Sequence, residues 1–423
     1  MKKVLIVTYY WPPAGGPGVQ RWLNFVKYLP DSEIQPVLYI PENPHYPILD
    51  HSLKEEVPDQ LTIYRQPIWE PYQIASIFSK KKTKKISSGI VPSNNPSFLD
   101  KVFLWVRGNL FIPDARKYWI GPSVRVLTEI LESEEIETVI TTGPPHSLHL
   151  IGKRLKERTN IKWIADFRDP WTSIGYHKAL RLTRQSQKKH KELEQEVLHS
   201  ADQILVTSNT TKQEFEAITH KPVITITNGY DQAAEGKIIP DTHFTISHIG
   251  SLLSERNPYV LWKVLADLVS EEDEFAMDLR IKFTGVVSDE IVNDIQGFGL
   301  GSNLEVTGYL PHKEAVLSQR KSQILLLVEI DSEETRGIIP GKLFEYMAAQ
   351  RPILAIGPKS WEAGSMVRES ACGEVFTYNM EAELKTSLLK WYKAYKGNSL
   401  KLTSENMEQY SRKALTKKLA AYI

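Results

Sequence analysis

The chain has one cysteine, Cys372, in 423 residues, which excludes an intramolecular disulfide and fits a reducing compartment. It carries almost no net charge: 52 Lys and Arg stand against 51 Asp and Glu, a formal balance of +1 at pH 7. That balance argues against a general nucleic-acid binder held by phosphate neutralisation. No apolar run approaches the length that spans a bilayer. The opening "MKKVLIVTYYWPP" ends its short apolar stretch in bulk and proline, where a secretory leader would place small residues. A cytoplasmic protein is expected, with a peripheral contact at the inner face of the membrane left open. There is also no fixed-period repeat of the solenoid kind. No carboxylate pair of the glycosidase type stands out.

What is present is strand–helix alternation over a length that suggests two domains. Short β-rich runs recur: "KVLIVT", "QPVLYI", "TVITT", "KWIADF", "QILVTS", "VITITN", "FTISHIG", "LRIKFTG", "NLEVTG", "QILLLV" and "RPILAIG". Helical patterns such as "VQRWLNFVKYL", "SVRVLTEILES" and "YVLWKVLADLVS" lie between most of them. Strands with crossover helices imply an α/β protein with parallel sheets covered on both faces. Glycine, proline and polar residues gather at 227–243, and "FTISHIG" then opens a second strand-to-glycine turn like the first. The expected division is 1–230, 231–400 and a helical tail over 401–423. The basic stretch 79–97, "SKKKTKKISSGIVPSNNPS", reads as a solvated insertion or as a contact for anionic lipid. The aromatic segment after it, with Phe103, Trp105 and Phe111, is expected to be core for the most part, the rest facing a membrane or lipid-linked substrate.

Four constellations could carry chemistry. "YYWPPAGGPGVQR" follows the first strand and opens a helix, so Gly15, Gly16 and Gly18 either let backbone amides approach an anion or merely satisfy a tight turn. It resembles a dinucleotide fingerprint, but Arg21 stands where that fingerprint wants a small residue. Glu42 does sit where a ribose-binding acid would. In "TTGPPHSLHLIG", His146 and His149 begin a helix at a strand's carboxyl end, as hydrogen-bonding or proton-handling groups or as plain surface residues. No acidic or cysteine partner stands at ligand spacing from them, so no metal is expected. In "IADFRDPWTS", Asp166, Arg168 and Asp169 are expected to form an ion pair that shapes a cleft. In the second half, Arg256 follows the glycine turn of "HIGSLLSERNP", and Lys342 and Glu345 share one helical face in "IIPGKLFEYMAAQ". Two cations and a carboxylate in that arrangement suit a diphosphate and ribose hydroxyls; the bland reading is an exposed ion pair.

Taken together, "GGPGVQR", "TGPPHSLHLIG", "IADFRDPW", "VTSNTTKQEF", "TNGYD", "HIGSL", "VTGYLPHKEA" and "GKLFEYMAAQRPILAI" resemble the GT-B glycosyltransferases, specifically glycosyltransferase family 4, along nearly the whole chain. The resemblance implies two Rossmann-like domains facing each other across a cleft, the first on the acceptor side and the second binding the nucleotide sugar. It also implies a C-terminal helix returning to the first domain and closure about 227–243. It implies a retaining transfer from a nucleotide-diphosphate sugar to a glycan or lipid-linked acceptor, in cell-surface polysaccharide synthesis, without metal or cofactor, the basic residues stabilising the leaving diphosphate. By position, Gly15 and Gly16 border the donor phosphates and acceptor, Arg256 meets the diphosphate, and Glu345 matches the second glutamate of an E-x7-E motif. His146 matches the first-domain histidine at the sugar, with His149 as its rival. The first glutamate of the motif is replaced by Gly337, and Ser251 stands where an arginine often follows the strand-end glycine. Lys342 is expected to supply the missing charge. Those departures leave a non-catalytic partner subunit as an alternative, and a nucleotide-sugar epimerase or phosphorylase is a further one on the same fold.

Overall fold

The computed structural model describes all residues except 71–97, 179, 232–237 and 403. The basic stretch 79–97 and the middle of the 227–243 segment therefore lie outside the described residues. Two compact units emerge: Met1–Thr227 with Arg412–Ile423, and Asn228–Ser411.

The first unit is built on β1 (Lys2–Val7), β2 (Ile34–Pro41), β3 (Thr62–Gln66), β4 (Thr138–Gly143), β5 (Lys162–Phe167), β6 (Gln203–Val206) and β7 (Val223–Thr225). All pairings are parallel, in the order β3-β2-β1-β4-β5-β6-β7. The central strands are apolar on both faces because helices cover both. Leu5, Val7, Val37 and Val139 point to one core with Val124 and Leu127 of the helix Ile120–Ser133 and Ile151 and Leu155 of Ser147–Arg158. Val4, Ile6, Leu38 and Ile140 point to the other, against Trp22, Leu23 and Val26 of the helix Pro17–Tyr28. Leu415 and Leu419 of the last helix, Arg412–Ala420, complete that second layer.

The second unit repeats the plan with β8 (Phe244–Ile249), β9 (Leu279–Thr284), β10 (Leu304–Gly308), β11 (Ile324–Val328), β12 (Ile353–Ile356) and β13 (Gly373–Phe376). Its order is β10-β9-β8-β11-β12-β13, again all parallel. Each sheet therefore reverses direction once, at β1/β4 and at β8/β11. Loops leaving the carboxyl ends of strands at such a reversal frame the crevice where doubly wound sheets hold ligands.

The first reversal is pinned by a buried carboxylate. Asp166, the next-to-last residue of β5, has no exposed surface. Its Oδ1 accepts from Arg21 Nη2 at 2.9 Å, and its Oδ2 accepts from Trp22 Nε1 and Thr142 Oγ1, each at 2.8 Å. Arg21 also donates to the Thr227 carbonyl at 2.9 Å. This corrects the expected pairing among Asp166, Arg168 and Asp169: the partner of Asp166 is Arg21, whose long side chain reaches β5 from the first helix. Burial pushes the Asp166 carboxyl up, but the Arg21 charge and the hydrogen bonds outweigh it and leave it below its usual value of 3.8. The stability it confers is thus present above that value and lost as the pH falls through the lowered one. Asp166→Ala should destabilise the chain by about 3–5 kcal/mol by stranding the Arg21 charge. Adding Arg21→Met should cost less than the sum of the two single changes, as read by urea denaturation at pH 7. Strict additivity would show that the pair is not coupled.

Candidate functional site

At the second reversal the chain must turn sharply after β8, and two interlocked glycines allow it. Gly250 has φ +118° and Gly285 has φ +114°, a region that side chains with a Cβ disfavour. A Cβ on Gly285 would lie 2.6 Å from the Gly250 carbonyl oxygen. A Cβ on Gly250 would lie 3.0 Å from both Cε and Nζ of Lys342. The bare Gly250 turn is therefore the floor on which Lys342 rests. Lys342 Nζ lies 2.7 Å from Nε2 of His248 and donates to the Ser251 carbonyl at 3.2 Å. His248 Nδ1 lies 2.9 Å from the Leu326 carbonyl. With its proton on Nδ1 for that carbonyl, His248 offers Nε2 as the acceptor for Lys342.

Burial pushes the Lys342 ammonium down to about 8, aided by Arg256 and opposed by Glu345 and Glu329. Burial, with Lys342 beside it, pushes His248 down to about 3, so it is a neutral acceptor at pH 7. Arg256, in the short turn Ser254–Arg256, donates from Nε to Glu329 Oε1 at 2.9 Å. Glu329, just past β11, is almost wholly buried, and its Oε2 has no hydrogen-bond partner. Glu345 follows Lys342 by three residues on the helix Gly341–Ala349, and its Oε2 accepts from Gln319 at 2.8 Å. Arg256, Lys342 and Glu345 are thus gathered about one glycine turn with two participants that motif reading did not select, His248 and Glu329. Both had a signal: an ionisable residue inside or next to the buried runs "FTISHI" and "ILLLVE" requires a partner.

The first unit's crevice is different in character. Gly15 donates its amide to the Ile48 carbonyl at 3.0 Å, so that amide is not available to an anion. Gly16, at φ +106°, is the residue before the helix Pro17–Tyr28, whose first turn carries no acidic side chain. His146 precedes the helix Ser147–Arg158 and stacks on Trp171, centroids 4.8 Å apart and rings within 4° of parallel. Both its ring nitrogens are buried without a hydrogen-bond partner. His149 stacks on Phe167 at 4.2 Å. Trp163 Nε1 donates to Thr141 Oγ1 at 3.0 Å, leaving the Thr141 hydroxyl proton for His149 Nδ1 at 2.9 Å. The His149 proton is then on Nε2, which has no acceptor. Burial holds His149 down to about 3 and His146 well below its ordinary value, so both are neutral hydrogen-bonding groups at pH 7.

Arg168 donates its backbone amide to the Gly143 carbonyl at 2.9 Å and its guanidinium to the carbonyls of Gly143 and Pro144, holding the Gly-Pro-Pro turn before His146. Burial pushes the Asp169 carboxyl up, with the Arg168 charge opposing. Among the described residues no group of three or more His, Cys, Asp or Glu is placed to hold a metal ion. Gly250→Ala should cost about 1–3 kcal/mol through its backbone conformation and displace Lys342. Gly285→Ala should cost at least as much while leaving more of the Lys342 contact in place. Denaturation midpoints and the titration of a 15N-labelled Lys342 side chain check both; an unmoved lysine signal in Gly250→Ala would refute the contact.

No protein-family model matches the chain, and no curated protein matches it. Solved structures do match, over the full chain. HepE of Anabaena, in complex with UDP, is 10% identical with a TM-score of 0.60, covering 100% of this chain and 99% of that one. TarM of S. aureus, as a mutant in complex with fondaparinux, alpha-GlcNAc-glycerol and UDP, is 12% identical with a TM-score of 0.56 and the same coverages. The sucrose-phosphate synthase of Thermosynechococcus elongatus is 11% identical with a TM-score of 0.56, covering 100% and 98%. These neighbours are GT-B glycosyltransferases, and at such identities the likeness establishes the fold: two Rossmann-like α/β halves of the GT-B type.

Proposed function

We propose that the chain is a nucleotide-sugar-dependent glycosyltransferase of family 4 that retains anomeric configuration and works without a metal. It passes a sugar to a glycan or lipid-linked acceptor in cell-surface polysaccharide synthesis, on the cytoplasmic side. The observation that carries this reading is the pair of cations, Arg256 and Lys342, gathered at the Gly250 turn of the second reversal. A nucleoside diphosphate places two phosphoryl groups there, and its leaving charge grows in the transition state where those cations stand. Glu345, with one oxygen committed to Gln319, accepts from the ribose hydroxyls through the other. The neutral His146, with His149 behind it, hydrogen-bonds the sugar. The Gly16 turn meets the phosphates or the acceptor through its backbone. UDP and UDP-glucose in the two HepE complexes, and UDP with a glycan in TarM, support the donor and acceptor classes.

A contact with anionic membrane is part of the proposal. Trp69, Trp105, Leu110 and Tyr118 are all exposed, and Trp69 meets Tyr118 edge-on at 5.0 Å. Among the described residues no helix is long and apolar enough to cross a membrane. Trp105→Ser with Tyr118→Ser should reduce co-sedimentation with phosphatidylglycerol vesicles and leave UDP binding unchanged.

The decisive test is calorimetric binding of nucleoside diphosphates and their sugars, with and without EDTA. At a hundredfold excess over its dissociation constant, the right donor should stabilise the fold by about 2.7 kcal/mol. Lys342→Ala should weaken it by roughly 10–100-fold, the value of a charged hydrogen bond. The bound diphosphate raises the Lys342 pKa, so affinity should fall roughly tenfold per pH unit above about 8 and be flat below it. Lys342→Arg should bind with no such break. Donor binding that survives Lys342→Ala and Glu345→Ala together would refute the site. Binding with no turnover on any acceptor would mark a non-catalytic partner subunit.

A further inference from the structure

At the second reversal one group opposes the anion that its cations suit. Glu329 directly follows β11, forms an ion pair with Arg256 and raises the Lys342 pKa through its charge. A carboxylate so placed repels a diphosphate, so its presence needs a reason. It is not itself a ligand contact: its side chain is 1% exposed, and its Oε2, without a hydrogen-bond partner, is sealed from solvent.

Its anchoring shows what it does instead. The Glu329 amide donates to the Ile356 carbonyl of β12 at 3.0 Å, and the Glu329 carbonyl accepts from the Tyr378 hydroxyl at 2.8 Å. Oε1 accepts from the Ile330 amide at 3.0 Å and from Arg256 Nε at 2.9 Å. Backbone bonds thus fix the carboxylate before it meets the guanidinium. Arg256 is the looser partner, at the end of a short turn with its side chain 31% exposed. Only its Nε is engaged: Nη1 and Nη2 bond to no described residue. Those two groups form the end of the fork that matches phosphoryl oxygens. The groups facing the Lys342 ammonium come from four elements: neutral His248 of β8, Arg256 of the turn, Glu329 past β11 and Glu345 on its own helix. Burial and Arg256 push that ammonium down, and the two carboxylates oppose them. Glu345 is partly exposed and bonded to Gln319, so Glu329 is the sealed member of the pair.

We propose that Glu329 is a positioning residue of the anion site: it holds Arg256 by Nε so that both Nη groups remain for a phosphoryl group, and its charge lets Arg256 and Lys342 share the Gly250 turn. It acts through the two cations and touches no ligand. The role rests on the reading of those cations as a diphosphate site, but the holding of Arg256 and the support of the Lys342 charge are properties of the empty protein.

The test uses the full chain as Glu329→Gln, which keeps an oxygen for Arg256 Nε and loses the charge, and as Glu329→Leu, which loses both. In the empty protein, NMR of 15N-labelled side chains follows the Lys342 titration and the exchange of the Arg256 Nε proton. The Lys342 midpoint of about 8 should move down in both variants, because a nearby negative charge is gone. The Arg256 Nε proton should stay protected in Glu329→Gln and exchange faster in Glu329→Leu. Inorganic pyrophosphate serves as a probe that needs no base. By calorimetry at pH 6, where the lysine is charged throughout, Glu329→Gln should bind it within about threefold of the wild type and Glu329→Leu roughly tenfold more weakly or worse. At pH 8 Glu329→Gln should fall behind as well, its lysine having lost its proton. A glutamate with a merely structural role would lower the thermal midpoint and leave the Lys342 midpoint in place. An unmoved Lys342 midpoint in Glu329→Gln, or pyrophosphate bound by Glu329→Leu as tightly as by the wild type, overturns the proposal. If Glu329→Leu does not fold, the Lys342 midpoint in Glu329→Gln decides. A wild type that binds neither pyrophosphate nor UDP defeats the diphosphate reading alone, since the two NMR signals need no ligand.

Discussion

The first unit depends on one buried carboxylate. Asp166 draws β4 through Thr142, the first helix through Arg21 and Trp22, and, through Arg21, the Thr227 carbonyl at the end of the unit's main segment. A fully buried charge is costly wherever its partners are missing, so the three bonds that Asp166 accepts favour this arrangement over its alternatives. That requirement sets the register between the Gly16 turn, the Gly-Pro-Pro turn and the loop after β5. His146 follows the strand that Thr142 ties to this ion pair. The same pair explains Arg21 in the glycine-rich turn. The position that would be a small residue in a dinucleotide fold here carries a reach of several bonds, used to close a salt bridge across the sheet.

Much of the architecture was legible because central parallel strands are apolar on both faces and leave unbroken runs in the sequence. Every strand was visible this way except β3, "TIYRQ", and β13, "GEVF". Both are edge strands with one neighbour and only partial burial, so nothing forces an apolar run. The site was legible where glycine, charge and helix spacing coincide, as at Arg256, Lys342 and Glu345. It was hidden where a polar residue sits in a strand. His248 reads as one more core position of "FTISHI", and only the geometry places its Nε2 under Lys342. The partner of Asp166 is hidden for a related reason: it is Arg21, from another element, while the neighbour in sequence, Arg168, interacts with Asp169. Arg168 also spends its guanidinium on carbonyls of the Gly-Pro-Pro turn.

The two reversals share a strand order but not a chemistry. At β1/β4 stacked rings and neutral imidazoles, His146 on Trp171 and His149 on Phe167, stand beside the single guanidinium of Arg168, which is spent on backbone carbonyls. At β8/β11 cations and carboxylates stand around a bare glycine turn. Neutral stacked rings offer hydrogen bonds and C–H contacts at little desolvation cost, which suits a polyol. Paired cations near a low-exposure carboxylate suit a multiply charged anion. The two halves thus carry different side chains at equivalent points of one topology.

Lys342 shows how the charged half prepares for an anion. Without one, its ammonium is partly stripped of water and crowded by Arg256, which together push it down to about 8. His248 gives it one strong acceptor without a counter-charge, since burial keeps that ring neutral. A carboxylate in place of His248 would hold the lysine more firmly and would also cancel the charge meant for a ligand. A neutral imidazole instead orients the ammonium and leaves its field intact. Under the proposed function, an incoming diphosphate adds to the counter-charge that Glu345 and Glu329 already supply. In the proposed function, that arrangement favours an anion over a neutral sugar at the second reversal.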